Sequence, residues 1–190
     1  MVNEYTIQGR PAAVHLLEIN APVENLPSPA KNTDNLYTDH LVSGSGYHKR
    51  IGFTYDTQGN LLEQSKVNDI PTTYLWGYNR SYPIAEIKNA TYAEVVAVLG
   101  QSVIEGLAGA SPGTDAEVRQ KLTPLRTDSR LQKAQVTIYT YQPLVGMTSA
   151  TDATGVTTYY EYDELQRLKR VKDREGNIVK HNIYHYKGQP

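Results

Sequence analysis

The chain has no cysteine in 190 residues. That removes disulfides, thiolate zinc sites and cysteine nucleophiles together, and leaves the compartment open. Phenylalanine and tryptophan occur once each and methionine twice, so a deep apolar core of the usual aromatic composition is not expected. The formal net charge is −1, and Lys and Arg are interspersed with Asp and Glu. No global field therefore draws in nucleic acid or anionic lipid, and neither is expected as a partner. No apolar run is long enough to cross a bilayer, so membrane insertion is not expected. The opening Met1-Val2-Asn3-Glu4-Tyr5 is not a signal-peptide pattern; for an exported protein the signal is expected upstream on a longer chain.

What the chain does have is tyrosine, 15 of it. Tyrosine pairs well across strands and keeps a hydroxyl for the wet side, which points to thin, half-exposed sheets. A short pattern recurs: Tyr5-Thr6-Ile7-Gln8-Gly9-Arg10-Pro11, Tyr55-Asp56-Thr57-Gln58-Gly59-Asn60-Leu61 and Tyr162-Asp163-Glu164-Leu165-Gln166-Arg167-Leu168. The first copy lacks the Asp and the third lacks the Gly. Related turns stand at Asp152-Ala153-Thr154-Gly155 and Asp173-Arg174-Glu175-Gly176. Asp favours the first position of a type I turn, where its side chain accepts a backbone N–H. Gly three residues later takes the left-handed conformation of a bulged hairpin loop, so Gly59 and Gly176 are expected at positive φ.

The flanks read as strands. Val136, Ile138 and Thr140 alternate with Thr137, Tyr139 and Tyr141; Thr158, Tyr160 and Tyr162 share a face; Ile178–Tyr186 is a further run. One stretch breaks the style. Thr91-Tyr92-Ala93-Glu94 and Thr114-Asp115-Ala116-Glu117 are capping boxes, the first followed by Val95, Val98 and Leu99 and the second by Val118 and Leu122. Gly100 either ends the first helix or is passed by an extension through Ile104 and Leu107. Gly106–Gly113 reads as a flexible connector, and a short helical turn is expected over Pro124–Leu131. The expected fold is β-rich (α+β): antiparallel hairpins over 1–88, with a Pro- and Asn-rich loop at Ala21–Asn35, a helical insert over 89–133, and further hairpins over 134–190.

The segment Tyr159-Tyr160-Glu161-Tyr162-Asp163 through Leu168-Lys169-Arg170-Val171-Lys172-Asp173-Arg174-Glu175-Gly176-Asn177 resembles the YD repeat of the bacterial Rhs family. Phe53–Leu61 looks like another copy. Tyr74-Leu75-Trp76-Gly77-Tyr78-Asn79 with Tyr82-Pro83-Ile84-Ala85 resembles a segment near the C-terminal ends of large Rhs-repeat proteins. The resemblance spans most of the chain. It implies a structural, non-catalytic part of a longer secreted or cell-surface chain, in extended β-sheet that in some members wraps around a cargo. The partners it implies are upstream YD repeats of the same parent chain; the unpaired N–H and C=O groups of terminal strands make self-association through sheet edges the other expectation. The chain departs from the family in having few repeats, an added helical insert and no Asp-Pro-rich core motif.

Individual candidates for chemistry are few, and no cofactor or metal is implied. His181 and His185 sit four apart, but in a strand that spacing spans roughly 13 Å, too far for one metal ion. Glu161 and Glu164 offer a carboxylate pair for a hydrolase, beside Asp163 in its turn role. Arg167, Lys169, Arg170, Lys172 and Arg174 form a basic stretch that reads as the wet face of a hairpin, with a sugar acid or nucleic acid as the alternative ligand. Gly106–Gly113 lacks the Gly-Lys-Ser/Thr ending of a phosphate loop, and Ser43-Gly44-Ser45-Gly46 is no nucleophile elbow. Tyr74, Trp76, Tyr78 and Tyr82 are the candidate ligand platform, since aromatic faces stack on sugar rings; a carbohydrate-binding module is the alternative function.

Overall fold

One five-residue turn recurs five times in the computed structural model, which describes residues 2–17 and 47–185. The copies are Thr6–Arg10, Asp56–Asn60, Asp152–Val156, Asp163–Arg167 and Asp173–Asn177. In each, the first N–H donates to the fifth carbonyl at 2.7–3.0 Å, and the fourth N–H to the first carbonyl at 2.8–3.1 Å. The fourth residue is left-handed throughout: Gly9, Gly59, Gly155 and Gly176 have φ of 76°, 92°, 89° and 86°, and Gln166 has 62°. The first side chain accepts the fifth N–H, through the carboxylates of Asp56, Asp152, Asp163 and Asp173 at 2.8–3.0 Å and through Thr6 Oγ1 at 3.2 Å. The two irregular sequence copies therefore close the same loop: a threonine hydroxyl replaces the carboxylate in one, and a glutamine bears the left-handed strain in the other.

The chain divides into two compact units, residues 1–72 and 73–190. In the first, β1 (Val2–Tyr5), β2 (Pro11–Leu17), β3 (Tyr47–Tyr55) and β4 (Leu61–Lys66) pair antiparallel in chain order. Its two repeated turns lean together: Arg10 donates to the Gln58 carbonyl at 3.3 Å, and the Tyr55 hydroxyl donates to the Pro11 carbonyl at 2.8 Å. The loop expected at Ala21–Asn35 and the Ser43–Gly46 stretch lie outside the described residues.

The second unit carries β5 (Thr72–Gly77), β6 (Tyr82–Lys88), β7 (Gln135–Gln142), β8 (Gly146–Thr151), β9 (Thr157–Tyr162), β10 (Leu168–Lys172) and β11 (Ile178–His181), again antiparallel and in chain order. Between β6 and β7 come α1 (Tyr92–Leu99), α2 (Gln101–Ala108), α3 (Asp115–Leu122), α4 (Pro124–Thr127) and a 3-10 turn at Ser129–Leu131. Both capping boxes form: Thr91 and Thr114 each accept the N–H three residues on, and Glu94 and Glu117 return the bond. Gly100, at φ 81°, breaks α1 from α2, so it stops one helix while Ile104 and Leu107 build the next. The connector begins later than its glycines suggest, because Gly106 lies inside α2.

The helices cover one sheet face. Leu75, Ala85, Ile87, Val136 and Ile138 meet Val95, Leu99, Leu107, Val118, Leu122 and Leu125, and each fully buried Leu or Val contributes about 1.5–3 kcal/mol of burial. Beyond β7 the same face turns polar. Thr140 bonds Ser149 at 2.6 Å, Arg119 reaches Ser149 at 2.7 Å, and the α4 side chain Arg126 donates to the carbonyls of Val136, Thr151, Asp152 and Ala153. Arg126 thereby fastens the helices to the Asp152 turn. The C-terminal strand is shorter than the period-two run suggests. It ends at His181; the Asn182 N–H still donates to the Lys169 carbonyl at 2.9 Å, and the side chains of Asn182 and Tyr184 both donate to the Leu168 carbonyl; Tyr186 lies outside the described residues. Among the described residues no helix is long and apolar enough to cross a membrane.

Candidate functional site

The four aromatics of the candidate platform do not form one surface. Strand β5 alternates, so Tyr74 and Trp76 are half-buried on the helix-free face while Thr73, Leu75 and Gly77 are buried on the other. Tyr78 is 8% exposed and belongs to the core. Its hydroxyl accepts the Tyr141 N–H at 2.9 Å, and the Tyr82 hydroxyl accepts the Leu144 N–H at 3.2 Å. The rings of Tyr78 and Tyr82 meet edge-on at 5.8 Å, and Tyr82 stacks on Tyr141 at 4.9 Å. This trio braces the β7–β8 turn, and burial together with the neighbouring phenols pushes the Tyr141 hydroxyl up to about 12.

Tyr74 instead shares the open face with Tyr139, beside the Glu86 carboxylate. The Tyr139 hydroxyl lies 3.5 Å from Glu86, and burial first, then Glu86, raises both phenols above their ordinary range. Tyr139 and Tyr141 lie outside the candidate platform. The signal for them was the period-two run 136–141, which already set them opposite Val136.

The carboxylate pair is not arranged for acid–base work. Glu161 is held between Lys172 and Arg170, the latter at 3.6 Å, and the Lys172 bond is the main reason its carboxyl lies below the ordinary range. A general acid needs the opposite shift. Asp163 is occupied by its turn and by Arg167 at 2.7 Å, while Glu164 is exposed at the turn tip. The basic stretch is largely self-neutralised: Arg167 pairs with Asp163, Arg170 and Lys172 with Glu161, and Arg174 with Glu175.

His181 ends β11 and is exposed, as is His185 beyond it. Among the described residues no group of three His, Asp or Glu side chains could hold a metal ion. Comparison with protein-family models and with curated proteins found no match to either.

Proposed function

We propose that this chain is a non-catalytic structural segment of a larger secreted or cell-surface protein built from YD-type hairpin repeats. What supports it is one observation: five turns of the same hydrogen-bond pattern, four of them on Asp, each joining neighbouring antiparallel strands. Repeats of this kind bury apolar surface mainly against their neighbours along the array. The exposed edge of β11 fits that reading, since all four of its residues are exposed and Ile178 and Val179 present apolar side chains with Lys180 the sole fixed charge. In a sheet that follows chain order, upstream repeats of the parent protein adjoin β1, and the β11 edge is satisfied by another copy. Tight commitment of Glu161 to Lys172 and Arg170 supports the non-catalytic part.

Size exclusion with light scattering over a wide concentration range, together with amide exchange, tests the reading. The isolated chain is expected to associate with rising concentration. A monodisperse monomer with slow exchange across Ile178–His181 overturns the dependence on neighbouring repeats.

A further inference from the structure

We propose that Tyr82 and Tyr141 are an oxidative cross-linking site, where hydrogen peroxide acting through a haem peroxidase joins the two rings as an intramolecular dityrosine. Their rings are stacked, with centroids 4.9 Å apart and planes 29° from parallel. Tyr78 meets the same two rings edge-on, at 88° to Tyr82 and 85° to Tyr141. Phenoxyl radicals couple through the carbons ortho to oxygen. Rings lying face against face need only a tilt to bring two such carbons together, whereas an edge-on pair presents a rim to a face.

Both rings are half-buried against the core, so they stay open to oxidation while their packing holds them in place. The cluster is set beforehand: the Tyr78 hydroxyl accepts the Tyr141 N–H, and the Tyr82 hydroxyl accepts the Leu144 N–H. The chain has no cysteine, so no thiol of its own intercepts a radical. Each phenol gives up one electron and one proton and becomes a phenoxyl radical. A carbon–carbon bond forms between one ortho carbon of each ring, and the hydrogens on those carbons move to the oxygens. The peroxide O–O bond breaks, takes up the two electrons and two protons, and leaves as two waters.

The position gives the link a consequence. The β6–β7 ladder runs from Lys88–Gln135 to Ala85–Ile138. Continued in the same register, it sets Tyr82 opposite Tyr141, three positions past its last pair. At the other end of the seam the strands are separated in sequence by the insert, residues 89–134. A bond at Tyr82 and Tyr141 closes the end of the seam away from the insert and restricts the unfolded chain, as a disulfide does in chains that have cysteine. The site lies wholly within the second unit and needs no neighbouring repeat.

The test treats the full chain, kept dilute, with a haem peroxidase and hydrogen peroxide. Dityrosine fluorescence is expected in the monomer band of a denaturing gel. Trypsin should release residues 81–88 joined to residues 134–167, lighter by two hydrogens than their sum, with fragmentation placing the join on Tyr82 and Tyr141. Tyr82→Phe and Tyr141→Phe should each abolish that product, and Tyr184→Phe should leave it. Its yield should fall about tenfold or more in concentrated urea, because the fold supplies the proximity. The linked monomer should melt higher by roughly 5–15 °C. Circular dichroism checks that each variant folds; should either phenylalanine variant fail, the comparison of folded and urea-treated parent chain decides. The proposal is overturned if oxidation yields only cross-links between chains, if the join maps to another tyrosine pair, if urea leaves the yield unchanged, or if the linked monomer melts no higher than the parent.

Discussion

The repeated turn makes a sharp prediction about backbone conformation, because two of its copies differ at one position in an informative way. Gly155 has φ 89° and Gln166 has φ 62° at equivalent places. An ideal Cβ built on Gly155 meets nothing within 4 Å, so Gly155→Ala introduces no clash. Its cost is then the left-handed conformation alone, about 1–2 kcal/mol for an L-residue, reduced by the about 0.4–1 kcal/mol that alanine removes from unfolded-chain entropy. A net loss of about 1 kcal/mol follows, with a melting temperature lower by roughly 2–6 °C. Gln166→Gly runs the same cycle in reverse and is expected to be neutral or to gain up to about 1 kcal/mol. Urea denaturation of the two variants beside the parent chain measures both signs. If Gly155→Ala leaves the midpoint unchanged, or if Gln166→Gly loses as much as Gly155→Ala, then the fourth position is not set by φ and the account of the turn fails.

Three further outcomes follow from named contacts. Hydrogen bonds from turn side chains and backbone N–H groups hold the carboxyls of Asp152, Asp163 and Asp173 below their usual 3.8. Their contribution is therefore complete above about pH 4 and is lost as pH falls through the lowered folded values; denaturation midpoints at about pH 5 and pH 3 should differ, and less so when all three are Asn. Leu125, a fully buried residue of α4 within the insert, should cost about 2–5 kcal/mol when changed to Ala, read by thermal melting. Arg126→Lys should cost about 2 kcal/mol and speed amide exchange around Asp152–Val156, since one ammonium cannot replace a guanidinium fork spread over four carbonyls.

Local chemistry was the legible part of this sequence. The turns, the capping boxes and the alternation of Val136–Tyr141 each depend on residues within a few positions of one another, and each is present as read. Thr6 and Gln166 show why the imperfect copies still fold: the loop needs an acceptor and a left-handed residue, and a hydroxyl and a glutamine can supply them. The candidate platform fared differently, because period-two reasoning stops where a strand ends. Tyr78 follows the last residue of β5 and sits with Asn79 and Arg80 in three consecutive left-handed conformations, which turn its ring into the core. Part of that bend is local, since the Ser81 N–H donates to the Gly77 and Tyr78 carbonyls, but the Asn79 and Arg80 N–H groups donate to Gly109 and Ala108 at the end of α2, which nothing in Tyr74–Tyr82 signals. Arg126 was equally invisible, as its four acceptors lie 10 to 27 positions away.

Strand order in the second unit follows chain order, with a kinetic consequence. Hairpins β5–β6 and β7–β8 through β10–β11 close over short loops and can form within microseconds of leaving a ribosome or translocation pore. The β6–β7 seam is the exception, because residues 89–134 intervene and its closure carries the largest entropy cost in the unit. The insert must fold over Ile87 and Val136 before that seam is worth closing. Threading of the unit through a narrow exit should therefore stall at one identifiable point, when β7 has emerged and α1 to α4 have yet to pack, and a pulling or arrest assay would see a single force-generating step there.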